Sequence, residues 1–384
     1  MRISHIKLEN WRNFRLVDVD LPFRVFLIGP NASGKSNFLD AIRFLRNVAT
    51  EGFQRAVKLR GGVSKIRCLA ARKKPDIVIE VCLSNSKKDS NNDWTYSLSF
   101  SQDNNSRPIL KSEKVEKGRE TILTRPDEED KKDVLRMSQT ALEQINANLA
   151  FRPIAQFFST VHYLHLVPQI IRNPEGYAIP SPGGDPYGKD FLEKLAGTTP
   201  RTRDSRLDKI QQALKIAVPQ FSKFEITKDA RGVPHLAAYY EHWRPHDAQQ
   251  LEDQFSDGTI RLIGLLWSLL EGEGPLLLEE PELSLHAAIV RKLAPLIHRM
   301  QRLKKGGQRQ VLVSTHSVEL LMDPGVGGEE TLLLTPGSES TKVHSAAGVD
   351  DILKLLEQGI PVGEAAMSYT ETKNMHQLEL PFDD

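Results

Sequence analysis

Only two cysteines, Cys68 and Cys82, occur among the 384 residues. They exclude a disulfide framework and a thiolate metal cluster, and they fit a reducing compartment. Long apolar runs are also missing. The longest, from Leu262 to Leu270, is interrupted by Gly264 and Ser268 and is far too short to span a bilayer. The opening Met1-Arg-Ile-Ser-His carries no apolar signal core. Neither sign of charge dominates, with 51 Lys and Arg against 50 Asp and Glu, so bulk charge selects no partner and any basic surface is local. No heptad run and no fixed-period repeat is present, which argues against a coiled-coil arm and a solenoid. What remains is an ordinary composition, 39% hydrophobic and 26% charged. A cytoplasmic protein with no membrane part is expected, large enough for one large domain or two modest ones.

Hydrophobic periodicity divides the chain into strands and helices. Residues 2–9 alternate apolar and polar, as a half-exposed strand does. Residues 24–29 are an apolar strand running into a glycine turn, after which Phe38, Leu39, Ile42 and Leu45 keep helical spacing. Segments 76–84, 94–100 and 109–124 predict an antiparallel β layer, with a polar loop over 84–93. A charged loop is expected at 127–133, helical segments to about Thr160, a strand at 161–167, a loop at 174–188 and helix at 190–217. Short buried strands at 276–278 and 310–314 flank a helix over 289–302. Strands alternating with helices around a phosphate loop give an α/β class with a largely parallel core sheet. The expected boundaries are 1–165 for the N-terminal part with its β subdomain, 166–270 for a helical lobe, 271–348 for the C-terminal part of the core and 349–384 for an acidic tail.

The strongest motif is Gly29-Pro30-Asn31-Ala32-Ser33-Gly34-Lys35-Ser36, a full match to G-x-x-x-x-G-K-[ST]. Backbone N–H groups of such a turn surround phosphates, the following helix offers its positive end, and Asn37 is a further nucleotide-binding candidate. Lys35 reaches the β- and γ-phosphates of ATP, and the Ser36 hydroxyl is a ligand for Mg²⁺. A chance glycine turn lacks the apolar strand before and the amphipathic helix after. The second motif is Leu276-Leu-Leu-Glu279-Glu280-Pro281-Glu282. Acids at the C-terminal end of a buried parallel strand sit where sheet ligands bind. Glu279 is the candidate for Mg²⁺ or its water, and Glu280 for orienting and deprotonating the attacking water. Alone, such acids are a solvated strand end; beside a phosphate loop they are a hydrolytic site. The third motif ends the strand Val311-Leu-Val-Ser-Thr with His316, whose imidazole can bond a γ-phosphate. The fourth is Phe255-Ser256-Asp257-Gly258-Thr259, opening an apolar helix. By itself it is an N-cap; upstream of the acidic strand it is an anion site.

These four motifs, in this order, resemble the ABC-ATPase superfamily. More closely they resemble its RecF/SMC-like branch and the ATPase half of the overcoming-lysogenisation-defect (OLD) nucleases. Leu8-Glu9-Asn10-Trp11-Arg12-Asn13-Phe14 is similar to that branch's opening, with Arg12 and Asn13 in a turn near the nucleotide. Phe255–Gly258 is similar to its divergent signature motif, and Glu279-Glu-Pro-Glu-Leu-Ser-Leu-His286 to its Walker B and D-loop run. The resemblance places a Q-loop metal ligand at Gln169. It implies an ATPase head with an antiparallel β subdomain and a helical signature lobe, dimerising head to tail around two ATP molecules. Ser256 and Gly258 of one copy would then contact the γ-phosphate held by the other, and hydrolysis would release the dimer. Two departures stand out: no coiled coil is present, and the residues after His316 contain no D-x-D of the kind a nuclease domain carries. The one D-x-D, Asp18 and Asp20, lies in the N-terminal strand region. This chain is therefore not expected to cut nucleic acid by itself.

Residues 52–75 contain no acid but hold Arg55, Lys58, Arg60, Lys65, Arg67, Arg72, Lys73 and Lys74. A second acid-free stretch, 283–318, holds Arg291, Lys292, Arg299, Arg302, Lys304, Lys305 and Arg309. Such clusters suit DNA-backbone contact, and equally suit a solvated helix face. The end of the acidic tail, Gln377-Leu378-Glu379-Leu380-Pro381-Phe382, resembles the Q-L-x-L-x-F peptides that dock on the bacterial sliding clamp. The same residues suit packing on the chain's own head or on an effector. The leading reading is an ATP-switched, DNA-associated homodimer regulating a separate effector, a nuclease, in antiviral defence. The alternative is a RecF-like repair or replication factor without a toxic partner. A transporter subunit is disfavoured because Ser256-Asp-Gly-Thr departs from L-S-G-G-Q, and a module using ATP only as a structural ligand is disfavoured by Glu280 and His316.

Overall fold

Consecutive apolar residues of a strand can all be buried only when both faces of its sheet are covered. In the computed structural model, which describes residues 1–72, 75–84, 93–177, 184–241, 248–302 and 308–370, such runs form the central sheet. They are β3 (Arg24–Ile28), β12 (Leu276–Glu279), β13 (Val311–Thr315) and β14 (Thr331–Pro336). With β8 (His162–Leu164) and β15 (Thr341–Ser345) they make a six-stranded sheet ordered β15-β14-β3-β13-β12-β8. It is parallel except for the β14–β15 hairpin.

The alternating sequences form a second, antiparallel sheet: β1 (Arg2–Trp11), β2 (Phe14–Asp20), β4 (Ile77–Ser84), β5 (Trp94–Gln102), β6 (Pro108–Lys117) and β7 (Glu120–Arg125), in the order β2-β1-β4-β5-β6-β7. Between the two sheets lies α1 (Lys35–Glu51). Its Phe38, Leu39, Ile42, Phe44 and Leu45 share one apolar core with β1, β4 and β5 and with Val25, Leu27, Leu277 and Leu312 of the central sheet. Trp11 and Phe100 meet Phe44 at ring-centroid distances of 5.3 and 5.4 Å. Phe26, Ile28, Leu278 and Val313 point the other way, as the two-residue period of a strand requires. They pack on α9 (Asp257–Leu270) and α10 (Ala287–Arg302) in a second core. Gln310 joins the sheets: its amide donates to Ile3 O at 2.7 Å and Pro22 O at 3.0 Å, and its oxygen accepts from Ile3 N at 2.9 Å.

Short helices α2 (Phe53–Lys58) and α3 (Val63–Ile66) follow α1. The stretch expected as a charged loop at 127–133 is instead helix α4 (Glu128–Lys132). Asp127 and Asp130 form a reciprocal capping box there, with bonds of 2.7 and 3.0 Å. After α5 (Arg152–Ser159), the strand expected over 161–167 shortens to β8, because the next backbone donors, His165 N and Val167 N, turn to Pro186 O and Tyr187 O. The lobe between β8 and α9 holds α6 (Pro168–Arg172), α7 (Phe191–Gly197) and α8 (Pro200–Ala217). It also holds a three-stranded antiparallel sheet, β9 (Phe221–Lys228), β10 (Pro234–Tyr240) and β11 (Ala248–Leu251), that the reading of a helical lobe does not contain. Phe221, Phe224 and Ile226 keep neither period, and the break coincides with a register shift where Tyr239 faces Lys223 but Tyr240 faces Phe221. Within the expected tail, α11 (Asp350–Glu357), α12 (Val362–Ala365) and α13 (Met367–Thr370) fold back, burying Ile352 and Val362 in the second core. Gln377–Phe382 lies outside the described residues, as do parts of the loops expected at 84–93 and 174–188. Among the described residues no helix is long and apolar enough to cross a membrane.

A buried charge network fixes the far end of the antiparallel sheet. Arg125 clamps Asp130 with bonds of 3.0 and 2.8 Å and reaches Glu113 at 3.2 Å; Tyr96 donates to Glu113 at 3.0 Å. Burial pushes the Glu113 carboxyl up. The Arg125 fork pulls Asp130 down to about 2. A carboxyl depressed by folding stabilises above its unfolded pKa, and that contribution is lost as pH falls through the folded value. Asp130→Asn is therefore expected to cost about 2 kcal/mol at pH 7, with the penalty shrinking between about pH 4 and 2. Urea unfolding across that range checks it, and a pH-independent penalty would remove the ion pair from the account.

Candidate functional site

The phosphate loop, the acids and the histidine gather at the C-terminal edge of the central sheet. β3 delivers the glycine turn, and α1 begins directly behind it. Gly34 caps α1 with φ of 99°, a left-handed backbone that a side chain would strain. Helix geometry leaves the first N–H groups of α1 without intrahelical partners, and no side chain caps them. Lys35 is buried, and its ammonium donates to Gly29 O at 2.7 Å and Pro30 O at 3.0 Å. Burial pulls its pKa down, against the opposing pull of Glu280, Glu282 and Glu279. Asn31, Ala32 and Ser36 are exposed around the turn, whereas the buried Ser33 hydroxyl has no partner.

The β1–β2 turn supports this loop from below. Asn13 donates to Ser33 O and to Thr341 Oγ1, both at 2.8 Å, and accepts from Asn37 Nδ2 at 2.8 Å. Asn13 thus braces the phosphate loop through its backbone. Arg12 bonds Lys65 O at 3.1 Å and lies 3.4 Å from Asp40 of α1.

β12 and β13 bring the acids and the histidine alongside. The Ser36 hydroxyl donates to Glu279 Oε1 at 2.5 Å across 243 residues of sequence. The other oxygen, Glu279 Oε2, accepts from the Tyr163 hydroxyl of β8, whose ring carries Arg43 over its face at 4.6 Å. Burial and then the Glu279 charge push the Tyr163 phenol well above its ordinary range. Tyr163 is the site residue that the sequence reading missed. Gln169, expected as a metal ligand, instead donates to Asp257 Oδ2 at 3.1 Å. Arg172 takes the other oxygen of Asp257 at 2.6 Å.

Glu280 has φ of 45°, a conformation that a non-glycine residue keeps only where its surroundings impose it. Its N–H is held by Ser314 O at 2.9 Å, and its carboxylate meets His316 Nε2 at 3.1 Å. The candidate water-activating acid and the candidate γ-phosphate sensor are therefore in contact. Glu282 anchors the following turn, accepting from Thr315 Oγ1 at 2.6 Å and His316 N at 3.3 Å. Burial pushes its carboxyl up.

Ser256 caps α9, accepting from Thr259 N at 3.2 Å, and is exposed. A Cβ on Gly258 would lie 2.6 Å from Ser284 O, so only glycine lets α9 start against the turn after β12. The basic clusters are partly structural. Arg60 is held by Asp40 at 2.7 Å, and buried Arg309 bonds the carbonyls of Gly274, Ser268 and Glu271. Lys58, Lys65, Arg72, Arg291, Lys292, Arg299 and Arg302 are exposed, while Lys73, Lys74, Lys304 and Lys305 lie outside the described residues.

This donor set fits MgATP. A hydroxyl and a carboxylate 2.5 Å apart are the hard oxygens Mg²⁺ takes, and the uncapped helix start beside a buried ammonium suits phosphate. A family model described as "AAA domain, putative AbiEii toxin, Type IV TA system" matches residues 24–323. The chain belongs to that family. Its matched span runs from the first residue of β3 past His316, so the phosphate loop, the acids and the histidine all fall within the family's AAA domain. Endonuclease GajA of Bacillus cereus (strain VD045) is 34% identical over 91 residues, which cover 23% of this chain and only 14% of that endonuclease. Among solved structures, the SMC head bound to the C-winged helix domain of ScpA superposes with a TM-score of 0.55 at 14% identity, covering 90% of this chain and 98% of that one. The SMC head domain from Thermotoga maritima gives 0.48 at 15% identity, covering 90% and 99%. The first of these shows that the fold is that of an SMC head, and with the family match it agrees with the RecF/SMC-like resemblance drawn from the motifs.

Proposed function

We propose that this protein binds and hydrolyses ATP with Mg²⁺, closes head to tail as a homodimer around two nucleotides, and through that cycle regulates a separate effector, a nuclease, on DNA. The observation that carries the ATPase reading is the meeting of Ser36 with Glu279 and of Glu280 with His316 on adjacent strand ends. Lys35 exchanges its loop carbonyls for the β- and γ-phosphates. Ser36 and Glu279 would hold Mg²⁺, which when bound would neutralise phosphate charge. Glu280 takes the proton of the attacking water, and His316 would turn the ring nitrogen that meets Glu280 at 3.1 Å to the γ-phosphate. ATP is then the ligand of the closed state, and its cleavage resets the dimer.

The effector and defence reading draws on the short likeness to GajA, an endonuclease by name. The DNA reading draws on the exposed cations Lys58, Lys65, Arg72, Arg291, Lys292, Arg299 and Arg302. Docking of Gln377–Phe382 on a sliding clamp belongs to the same proposal.

Trans closure is tested at Ser256. A Ser256→Arg side chain would enter the space where the partner's γ-phosphate sits. Overpacking of about 1–3 kcal/mol weakens closure about five- to 150-fold, while ATP binding by the monomer persists. Ser256→Ala, which loses the hydroxyl and its cap to Thr259 but adds no bulk, is expected to weaken closure less than Ser256→Arg. Size-exclusion light scattering with ATP reads closure, and an Arg variant that hydrolyses ATP at the normal rate sinks the trans arrangement. Co-purification with the product of the adjacent gene, with and without ATP, tests the effector.

A further inference from the structure

We propose that Tyr163 is a positioning residue for the Mg²⁺ site, its hydroxyl fixing Glu279 in the one orientation that meets both Ser36 and the metal. The proposal rests on the reading of Ser36 and Glu279 as the Mg²⁺-binding pair. At the Walker B position P-loop NTPases use aspartate, but this chain has glutamate at Glu279. The extra methylene adds a rotatable bond and lets the carboxylate swing, a freedom that costs entropy to remove on binding. Tyr163 removes it in advance. Parallel pairing of β8 with β12 sets Tyr163 beside Leu277, two residues before Glu279. From there its hydroxyl donates to Glu279 Oε2 while Ser36 donates to Oε1. Two donors on opposite oxygens fix the carboxylate plane, which one donor cannot do.

The ring is itself held. Arg43 lies on α1, two turns after Ser36, with its guanidinium 4.6 Å from the centre of the Tyr163 ring. The helix that carries the metal-binding hydroxyl therefore also orients the phenol that orients the carboxylate. In this arrangement Tyr163 acts on the metal site through Glu279, to which its hydroxyl donates.

The test reads binding. The affinity of a fluorescent ATP analogue is measured along a Mg²⁺ titration and again in EDTA, for the wild type and for Tyr163→Phe. A lost hydrogen bond to a charged group is expected to raise the Mg²⁺ concentration at half-effect about tenfold or more. Affinity in EDTA stays unchanged, because the ring and its contact with Arg43 remain. A purely structural role for Tyr163 would move both. Glu279→Ala supplies the second arm: with no carboxylate for the phenol to hold, Tyr163→Phe added to it causes no further shift. Tyr163→Phe with the wild-type Mg²⁺ midpoint, or equal shifts in the Glu279 and Ala backgrounds, overturns the proposal. A wild type whose ATP affinity ignores Mg²⁺ overturns the reading of Ser36 and Glu279 along with it.

Discussion

Lys35→Ala is expected to cripple nucleotide binding. Lys35 is the buried ammonium of the phosphate loop, already stripped of most of its water and held by two carbonyls, Gly29 O and Pro30 O. Loops that point carbonyls at one cation and leave helix N–H groups free are organised for an anion. Removing the cation takes away the ammonium that offsets Glu279, Glu280 and Glu282 for the phosphates, since all three acids act on Lys35 through space. Truncating one partner of a buried charged contact costs about 2–5 kcal/mol, or roughly 30- to 5,000-fold in affinity. Equilibrium titration with a labelled ATP analogue measures it, with thermal melting as the check on folding. Near-normal affinity in a folded variant would remove Lys35 from its role and the phosphate loop from the proposed function.

Glu280→Gln is expected to separate binding from turnover. The amide keeps the size of the carboxylate and can still bond His316, which lies 3.1 Å from Glu280 in the parent. It cannot accept the proton of the attacking water. Loss of a positioned general base lowers the chemical step about a hundred- to ten-thousandfold. If ATP holds the closed dimer, this variant accumulates it: light scattering shows dimers with ATP that fall apart when EDTA removes Mg²⁺. Hydrolysis at the wild-type rate would exclude Glu280 as the base. Lost hydrolysis without dimers would keep the catalytic assignment and overturn the ATP-held closure.

The site was legible in the sequence where its parts are local. Gly29 to Ser36 needs one strand, one turn and one helix, all adjacent in the chain. Glu279, Glu280 and His316 sit at the ends of short apolar runs, and their order along the chain was enough to pair them. Contacts set by register between distant segments were not legible. Tyr163 lies 116 residues from Glu279 and looks like any strand tyrosine until β8 is paired with β12. For the same reason the resemblance points Gln169 to the metal, whereas the fold sets it on Asp257 at the start of α9. Asn13 was expected near the nucleotide and proves to brace the loop that would hold it. In the fold, the α/β core and the antiparallel layer followed from periodicity, while β9, β10 and β11 did not, because Ser222 and Lys223 interrupt the alternation where the register shifts.

Strand pairing also sets which parts of the chain tolerate a change in length. Thr315 pairs with Ile28 and Ser314 with Glu279, so three strand ends are levelled against one another. One residue added within β13 would move His316 by about 3.3 Å and exchange the faces of Leu312 and Val313, which belong to different cores. The turn between β5 and β6 is different. Asp103 closes it by accepting from Asn105 N at 2.9 Å and Arg107 N at 2.8 Å, and it belongs to the other sheet. A tag or fluorophore inserted at Asn105 would leave the levelled strand ends as they are, which makes that turn the natural attachment point for testing whether two copies close on ATP.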